Sequence, residues 1–120
     1  MVKVEEKHKI EDILNQFKNG QMIIVVDDED RENEGDFIIA AEKATPQDIN
    51  FMMREGRGLI CMPITPARSN RLHLGPMVSD NTSIHETNFT VSVDAKKNTT
   101  TGISAQDRWE TIQVILDVNS

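Results

Sequence analysis

Helix-patterned and strand-patterned stretches alternate along these 120 residues, which predicts an α/β (α+β) chain: a mixed, mostly buried sheet flanked by helices. Three observations carry this. Ile10, Ile13, Leu14 and Phe17 recur at i, i+3, i+4 and i+7, the spacing of one helix face. Met22–Val26 and Phe37–Ala41 are continuous, largely branched apolar runs of strand length. Phe89, Val91 and Val93 alternate with Thr90, Ser92 and Asp94, which reads as a strand with one apolar face.

The elements follow in order. A first helix is expected from about Val4 to Lys18, stopped by Asn19-Gly20. Gln21–Val26 reads as a strand buried on both faces, and Phe37–Ala41 as a second. Thr45-Pro46-Gln47-Asp48 has the composition of a helix start: a threonine cap, proline first, an acid third. The helix it opens turns Ile49, Met52 and Met53 inward and ends near Gly56. Gly58–Ile64 reads as a third strand, bent or at an edge because of Pro63. Thr65-Pro66 opens a helical turn reaching Leu72, and residues 73–84 form a loop. The last helix takes Ser104 as cap and Asp107 as its third residue. Trp109, Ile112, Ile115 and Leu116 supply its apolar side.

The length fits one domain, residues 1–120, with no repeat or linker. A net charge of −7 argues against a nucleic-acid partner, because phosphates would be repelled. A membrane span needs about 20 apolar residues, and no run approaches that. The charged start offers no signal peptide, and the lone Cys61 fits a reducing compartment, so the expected location is the cytoplasm.

Between the first two strands lies Asp-Asp-Glu-Asp-Arg-Glu-Asn-Glu-Gly-Asp, Asp27 to Asp36. Seven acids and one arginine place −6 of the net −7 here. Carboxylates at this density repel unless a cation sits among them, although an acidic run is also what a solvated turn looks like. Oxygen donors suit Mg²⁺ or Mn²⁺ better than zinc. In an extended chain Glu32, Glu34 and Asp36 would point to one side. Arg31 beside them can clamp an anion, and a carboxylate left off the metal can move a proton.

Cys61 sits in an apolar run, where a small buried hydrophobe is the simpler reading than a nucleophile. Asn98–Ser104 brings three threonines and a glycine to a helix start, compatible with a phosphate site or with a plain capped loop. His8, His73 and His85 have no partner at ligand spacing and read as surface residues.

The acidic decapeptide, Gly58-Leu59-Ile60-Cys61, Asn81-Thr82-Ser83, Phe89–Asp94 and Thr100–Arg108 together resemble the 3,4-dihydroxy-2-butanone 4-phosphate synthases of riboflavin biosynthesis. The resemblance runs from about Ile10 to Ser120. It implies a Mg²⁺-dependent lyase, typically a homodimer, turning the sugar phosphate ribulose 5-phosphate into 3,4-dihydroxy-2-butanone 4-phosphate and formate. By the same pattern Glu32 is the metal-binding glutamate, and it lies among the substrate-binding residues with Arg31, Asp36 and Thr101. Glu34, Asp36 and Cys61 take active-site roles, and Thr101–Asp107 lines the pocket near the subunit boundary. The family pattern continues with an Arg-Pro-Gly-His and an Arg-x-Gly-His-Thr-Glu segment, neither of which occurs in these 120 residues. Those segments carry the second metal ligand, most of the phosphate grip and an acid/base pair. The expectation is therefore a synthase-type fold lacking its C-terminal strands, with little activity in this chain alone.

Two other readings start from the same residues. One is a non-catalytic metal-binding or interaction module of the same fold. The other is a receiver domain of two-component signalling, which also opens with a strand and an acid pair. That domain needs an aspartate ending its third strand, where this chain has Cys61-Met62-Pro63.

Overall fold

The computed structural model describes residues 9–82 and 87–120. His8, Ser83, Ile84, His85, Glu86 and the expected helical residues before Lys9 lie outside them. The chain forms two compact units, Met1–Ile60 and Cys61–Ser120.

In the first unit, helix α1 spans Ile10–Lys18; it starts later than the expected onset near Val4, because Lys9 is extended (ψ 143°) and serves as its N-terminal boundary. Its stop is a backbone motif: the Gly20 N–H donates to Phe17 O at 3.0 Å and the Gln21 N–H to Gln16 O at 3.0 Å. Gly20 makes this possible at φ 88°, a left-handed conformation that glycine adopts without penalty. Ile13 and Phe17 are half-buried, while Ile10 and Leu14 are 57% and 58% exposed, so only part of the apolar stripe is covered.

Strands β1 (Ile23–Val26) and β2 (Gly35–Ile38) form an antiparallel hairpin, with Ile23 opposite Ile38 and Val26 opposite Gly35. Two expectations change here. The second strand begins at Gly35, not Phe37, because the acidic turn closes early and delivers Gly35 and Asp36 into the ladder. The strands are also not buried on both faces: Ile24, Val25 and Val26 are 50%, 45% and 41% exposed. In a two-stranded hairpin each strand has a neighbour along one edge only, so its side chains keep much of their exposure.

A 3₁₀ turn at Ala41–Lys43 leads to helix α2, Pro46–Phe51. Its start is the expected threonine cap, which the structure closes into a capping box. The Thr45 hydroxyl accepts the Asp48 N–H at 3.2 Å, and the Asp48 carboxylate accepts the Thr45 N–H at 2.9 Å. The helix continues as a π-helical turn, Met52–Gly56. Ile49 is 1% exposed and is the best-buried side chain of the unit. Phe37 and Phe51 meet with ring centroids 5.3 Å apart, tilted by 57°. Gly56 lets this cluster close, since a Cβ there would come within 2.9 Å of the Phe37 ring.

The expected strand over residues 58–64, which runs from the end of the first unit into the second, joins no ladder among the described residues; Pro63 has no N–H to give one. The expected strand at Phe89–Asp94 is reduced to one bridge, Thr90 to Pro76. It is held by Met77 N–H to Phe89 O and Val91 N–H to Gly75 O, both 2.9 Å. Alternating hydrophobicity survived here without a partner strand long enough to extend the pairing.

Helix α3, Pro66–Arg71, is capped by Thr65, whose hydroxyl accepts the Arg68 N–H at 3.2 Å. His73 follows it at φ 56°, and the bonds His73 N–H to Asn70 O (3.1 Å) and Leu74 N–H to Ser69 O (2.9 Å) close the helix. His73 is thus an exposed helix-stop residue, as its reading as a surface histidine required. Helix α4, Ala105–Leu116, starts at the predicted Ser104 cap. Arg68 ties the two helices together. Its guanidinium donates to the carbonyls of Ile115 (2.8 Å), Val114 (3.2 Å) and Asp117 at the end of α4. Free helix carbonyls and a cationic fork complement each other.

Candidate functional site

The acidic stretch is neither extended nor a loose turn. Glu29–Glu32 form turns and Asn33 sits at φ 51°, so Glu32, Glu34 and Asp36 do not project to one side as an extended chain would make them. Asp27 organises the fold of the turn. Its Oδ2 accepts the Glu32 N–H at 2.8 Å and its Oδ1 accepts the Glu34 N–H at 2.9 Å. Arg31 reaches back to the same carboxylate, Nη1 to Oδ2 at 3.1 Å. The Asp28 carbonyl accepts from Arg31 N–H (3.0 Å) and Asn33 N–H (3.2 Å), and Asp27 N–H donates to Glu34 O at 3.3 Å. The repulsion that seemed to require a cation is partly relieved by backbone donors and one guanidinium.

These bonds hold the Asp27 carboxyl below the usual carboxylate range. The Glu34 N–H is the largest cause; partial burial works against it, and the Glu32 N–H and Arg31 add to it.

Arg31 and Glu32 are neighbours, with Nη2 3.7 Å from Oε1. Glu32 is the less exposed of the two, at 29% against 57%. Glu34 is exposed, and Asp36 is exposed on β2 opposite Val25. Carboxylate oxygen is the right donor type for a hard divalent ion. The set is incomplete, however: among the described residues no three His, Cys, Asp or Glu side chains come together as a metal site. Glu32 supplies one candidate ligand.

Cys61 and Thr101 belong to the second unit. Cys61 is exposed, contrary to its reading as a small buried hydrophobe, because the segment around it forms no strand. Thr101 is exposed at the top of the loop before α4.

Sequence reasoning missed two roles. Asp27 was read only as one acid among seven; its signal was its place at the end of β1, where an Asx-type side chain can cap the turn that follows. Asp107 was read as a helix-start acid, yet it is 3% exposed and bonded to the preceding loop. Its Oδ2 accepts Thr100 N–H (3.0 Å), Thr100 Oγ1–H (2.8 Å) and Gly102 N–H (2.9 Å). The Thr100 hydroxyl bond is the largest cause of a lowered Asp107 carboxyl pKa; burial opposes it.

Fold and site together define a class: an α+β chain with a hairpin whose acidic turn is folded about one aspartate, and a serine-capped helix behind a threonine-rich loop. The particular family follows from comparison. The family model for 3,4-dihydroxy-2-butanone 4-phosphate synthase matches residues 11–120, and the chain belongs to that family. It is 58% identical over 112 residues to the riboflavin biosynthesis protein RibBA of Porphyromonas gingivalis, covering 92% of this chain and 28% of that protein. With RibBA of Cytophaga hutchinsonii it shares 61% identity over 109 residues, covering 90% and 27%. A crystal structure of 3,4-dihydroxy-2-butanone 4-phosphate synthase in complex with two magnesium ions superposes with a TM-score of 0.89 at 46% identity, covering 94% of this chain and 53% of that one. RibBX of A. baumannii, a two-domain synthase, superposes at 0.83 with 43% identity, covering 94% and 33%. The chain thus spans a little over a quarter of those curated relatives and about half of the magnesium-bound synthase. Family membership sets aside the receiver-domain reading.

Proposed function

We propose that this chain contributes the acidic-turn part of a lyase that converts ribulose 5-phosphate into 3,4-dihydroxy-2-butanone 4-phosphate and formate, within riboflavin biosynthesis. The observation that carries the reading is the hairpin turn that Asp27 folds, whose carboxylate holds the Glu32 and Glu34 backbone N–H groups and the Arg31 guanidinium. The similar synthase with two magnesium ions supports Mg²⁺ as the cofactor. Glu32 would hold it from this chain, and the bound ion would stabilise negative charge on the substrate's oxygens.

The residues have separable tasks. Arg31 is exposed, with Nη1 on Asp27 and Nη2 near Glu32, and binds an anionic substrate group through the donors these contacts leave over. Glu34, exposed beside it, takes the carbon-bound proton next to the ketone as the enediol forms and returns it later. In the first unit Asp36 binds substrate hydroxyls from strand β2; for the second unit the family resemblance assigns a substrate contact to Thr101, in the loop before α4. The same resemblance assigns Cys61 an active-site role. Five carbons become four plus one, so loss of water at one step is matched by its return at formate release. The remaining ligand, phosphate contacts and acid/base pair come from the two sequence segments absent from these residues. The half-exposed apolar strands support a homodimer as the working form.

Formate release from ribulose 5-phosphate and Mg²⁺, together with calorimetric Mg²⁺ uptake, tests the reading. The chain alone is expected to take up Mg²⁺ weakly, to lose that uptake in Glu32→Gln, and to release little formate. Uptake with no turnover even when the absent segments are restored would favour the interaction module. No uptake of Mg²⁺ or Mn²⁺ would overturn the metal role.

A further inference from the structure

The loop from Lys96 to Ile103 has no regular secondary structure, so its shape depends on side-chain bonds. Most converge on one atom. Asp107 Oδ2 accepts from the backbone and hydroxyl of Thr100 and from the backbone of Gly102. Thr101, exposed, stands between these two tethered residues.

Asp107 is not spending this carboxylate on its own helix. The cap is made by Ser104, whose hydroxyl accepts the Asp107 N–H at 3.0 Å. A capping box would send the acid back to the Ser104 N–H, as Asp48 is sent back to Thr45 in α2. Asp107 instead reaches past the cap to residues 100 and 102. Its own position is fixed from behind: its carbonyl accepts the Thr111 hydroxyl at 3.1 Å, and Thr111 Oγ1 accepts the Ala95 N–H at 3.0 Å. Asp107 and Thr111 are the two buried polar side chains among the described residues.

The loop is built to accept this anchor. Gly102 lies at φ 85°, where a side chain is strained, and a Cβ there would overlap the Asp94 carboxylate. A buried carboxylate is tolerated only when its charge is met by donors, and charge-assisted bonds hold a segment more stiffly than neutral ones.

We infer that Asp107 is a positioning residue, whose buried carboxylate clamps the loop at Thr100 and Gly102 and so fixes Thr101 for contact with the sugar phosphate. The inference rests on the proposed reading of Thr101 as a substrate contact.

Two readouts on the 120-residue chain separate the clamp from the substrate. Amide hydrogen exchange at Thr100 and Gly102 reports the clamp. The Thr101 amide shift, titrated with ribulose 5-phosphate to millimolar concentration, reports substrate affinity. In Asp107→Ala, exchange at residues 100 and 102 should rise roughly tenfold with β1 and β2 amides unchanged, and affinity should fall roughly fivefold. Asp107→Asn keeps an acceptor oxygen but loses the charge, and should fall between the parent and Asp107→Ala on both. Thr101→Val should lose the same affinity, and the Asp107→Ala/Thr101→Val pair should lose no more than either alone. Should Asp107→Ala fail to fold, Asp107→Glu, which displaces the oxygen by one methylene, must show the same paired losses. Faster exchange with unchanged affinity, or additive losses, would overturn the positioning role while leaving the substrate reading intact. No Thr101 shift in the parent chain would overturn the substrate reading and the positioning role with it, even if the exchange data show the clamp.

Discussion

The Asp27 carboxylate accepts the backbone N–H of Glu32 at 2.8 Å, so an acid at the end of one strand sets the direction of an acid five residues on. With its second oxygen on the Glu34 N–H, one side chain orients two of the candidate functional carboxylates. This is why the turn holds a shape despite its charge.

Asp27→Ala should therefore loosen the turn without unfolding the hairpin. Exchange of the Glu32 and Glu34 amides is expected to rise on the order of tenfold, with the Ile24 and Phe37 amides unchanged. Asp27→Asn should fall between, since the amide keeps one acceptor but gives the other side a donor. Equal protection in all three proteins would show that the backbone alone shapes the turn.

Acid should undo both aspartate-centred loops. Asp27 and Asp107 are each held below the ordinary value of 3.8, so each favours the folded state when ionised. The contribution is complete above the unfolded value and is lost as pH falls through the lower, folded one. A pH titration read by NMR should leave Glu32, Glu34, Thr100 and Gly102 amides steady down to 3.8, then shift them together below it. Shifts that complete well above 3.8 would contradict the assigned bonds.

Gly102→Ala should be costly for two separable reasons, the left-handed backbone and the overlap with Asp94. A loss of roughly 1–3 kcal/mol is expected by chemical denaturation. Adding Asp94→Gly should recover the overlap part and leave the backbone part. Full recovery in the double variant would mean that φ contributes nothing.

Ile49→Ala empties the best-buried position of the first unit and should cost about 2–4 kcal/mol in denaturant unfolding. Leu59→Ala, at an 81% exposed position, should change stability by about 0.5 kcal/mol or less. Similar effects at both sites would mean that Ile49 is not at the centre of the core.

Much of the local structure was legible. The Thr45, Thr65 and Ser104 caps, the stop at Asn19-Gly20 and the inward Ile49 each depend on neighbours within a few residues, and the chain spells those out. The strand expectations at Gly58–Ile64 and Phe89–Asp94 went too far, because a strand needs a partner and periodicity does not name one. For the candidate site the sequence named Arg31, Glu32, Glu34 and Asp36 as side chains of the right chemistry, but not the turn that Asp27 folds around them.

Composition and order alone determined the α+β class, the helix stops and caps at Asn19-Gly20, Thr45 and Ser104, and the acidic turn, because these follow from short-range sterics and hydrogen bonding. Tertiary structure alone decided that Asp27 and Asp107 act as anchors. Whether a carboxylate faces water, a metal or a backbone amide depends on where the folded chain brings donors, and seven acids within ten residues look alike until it does.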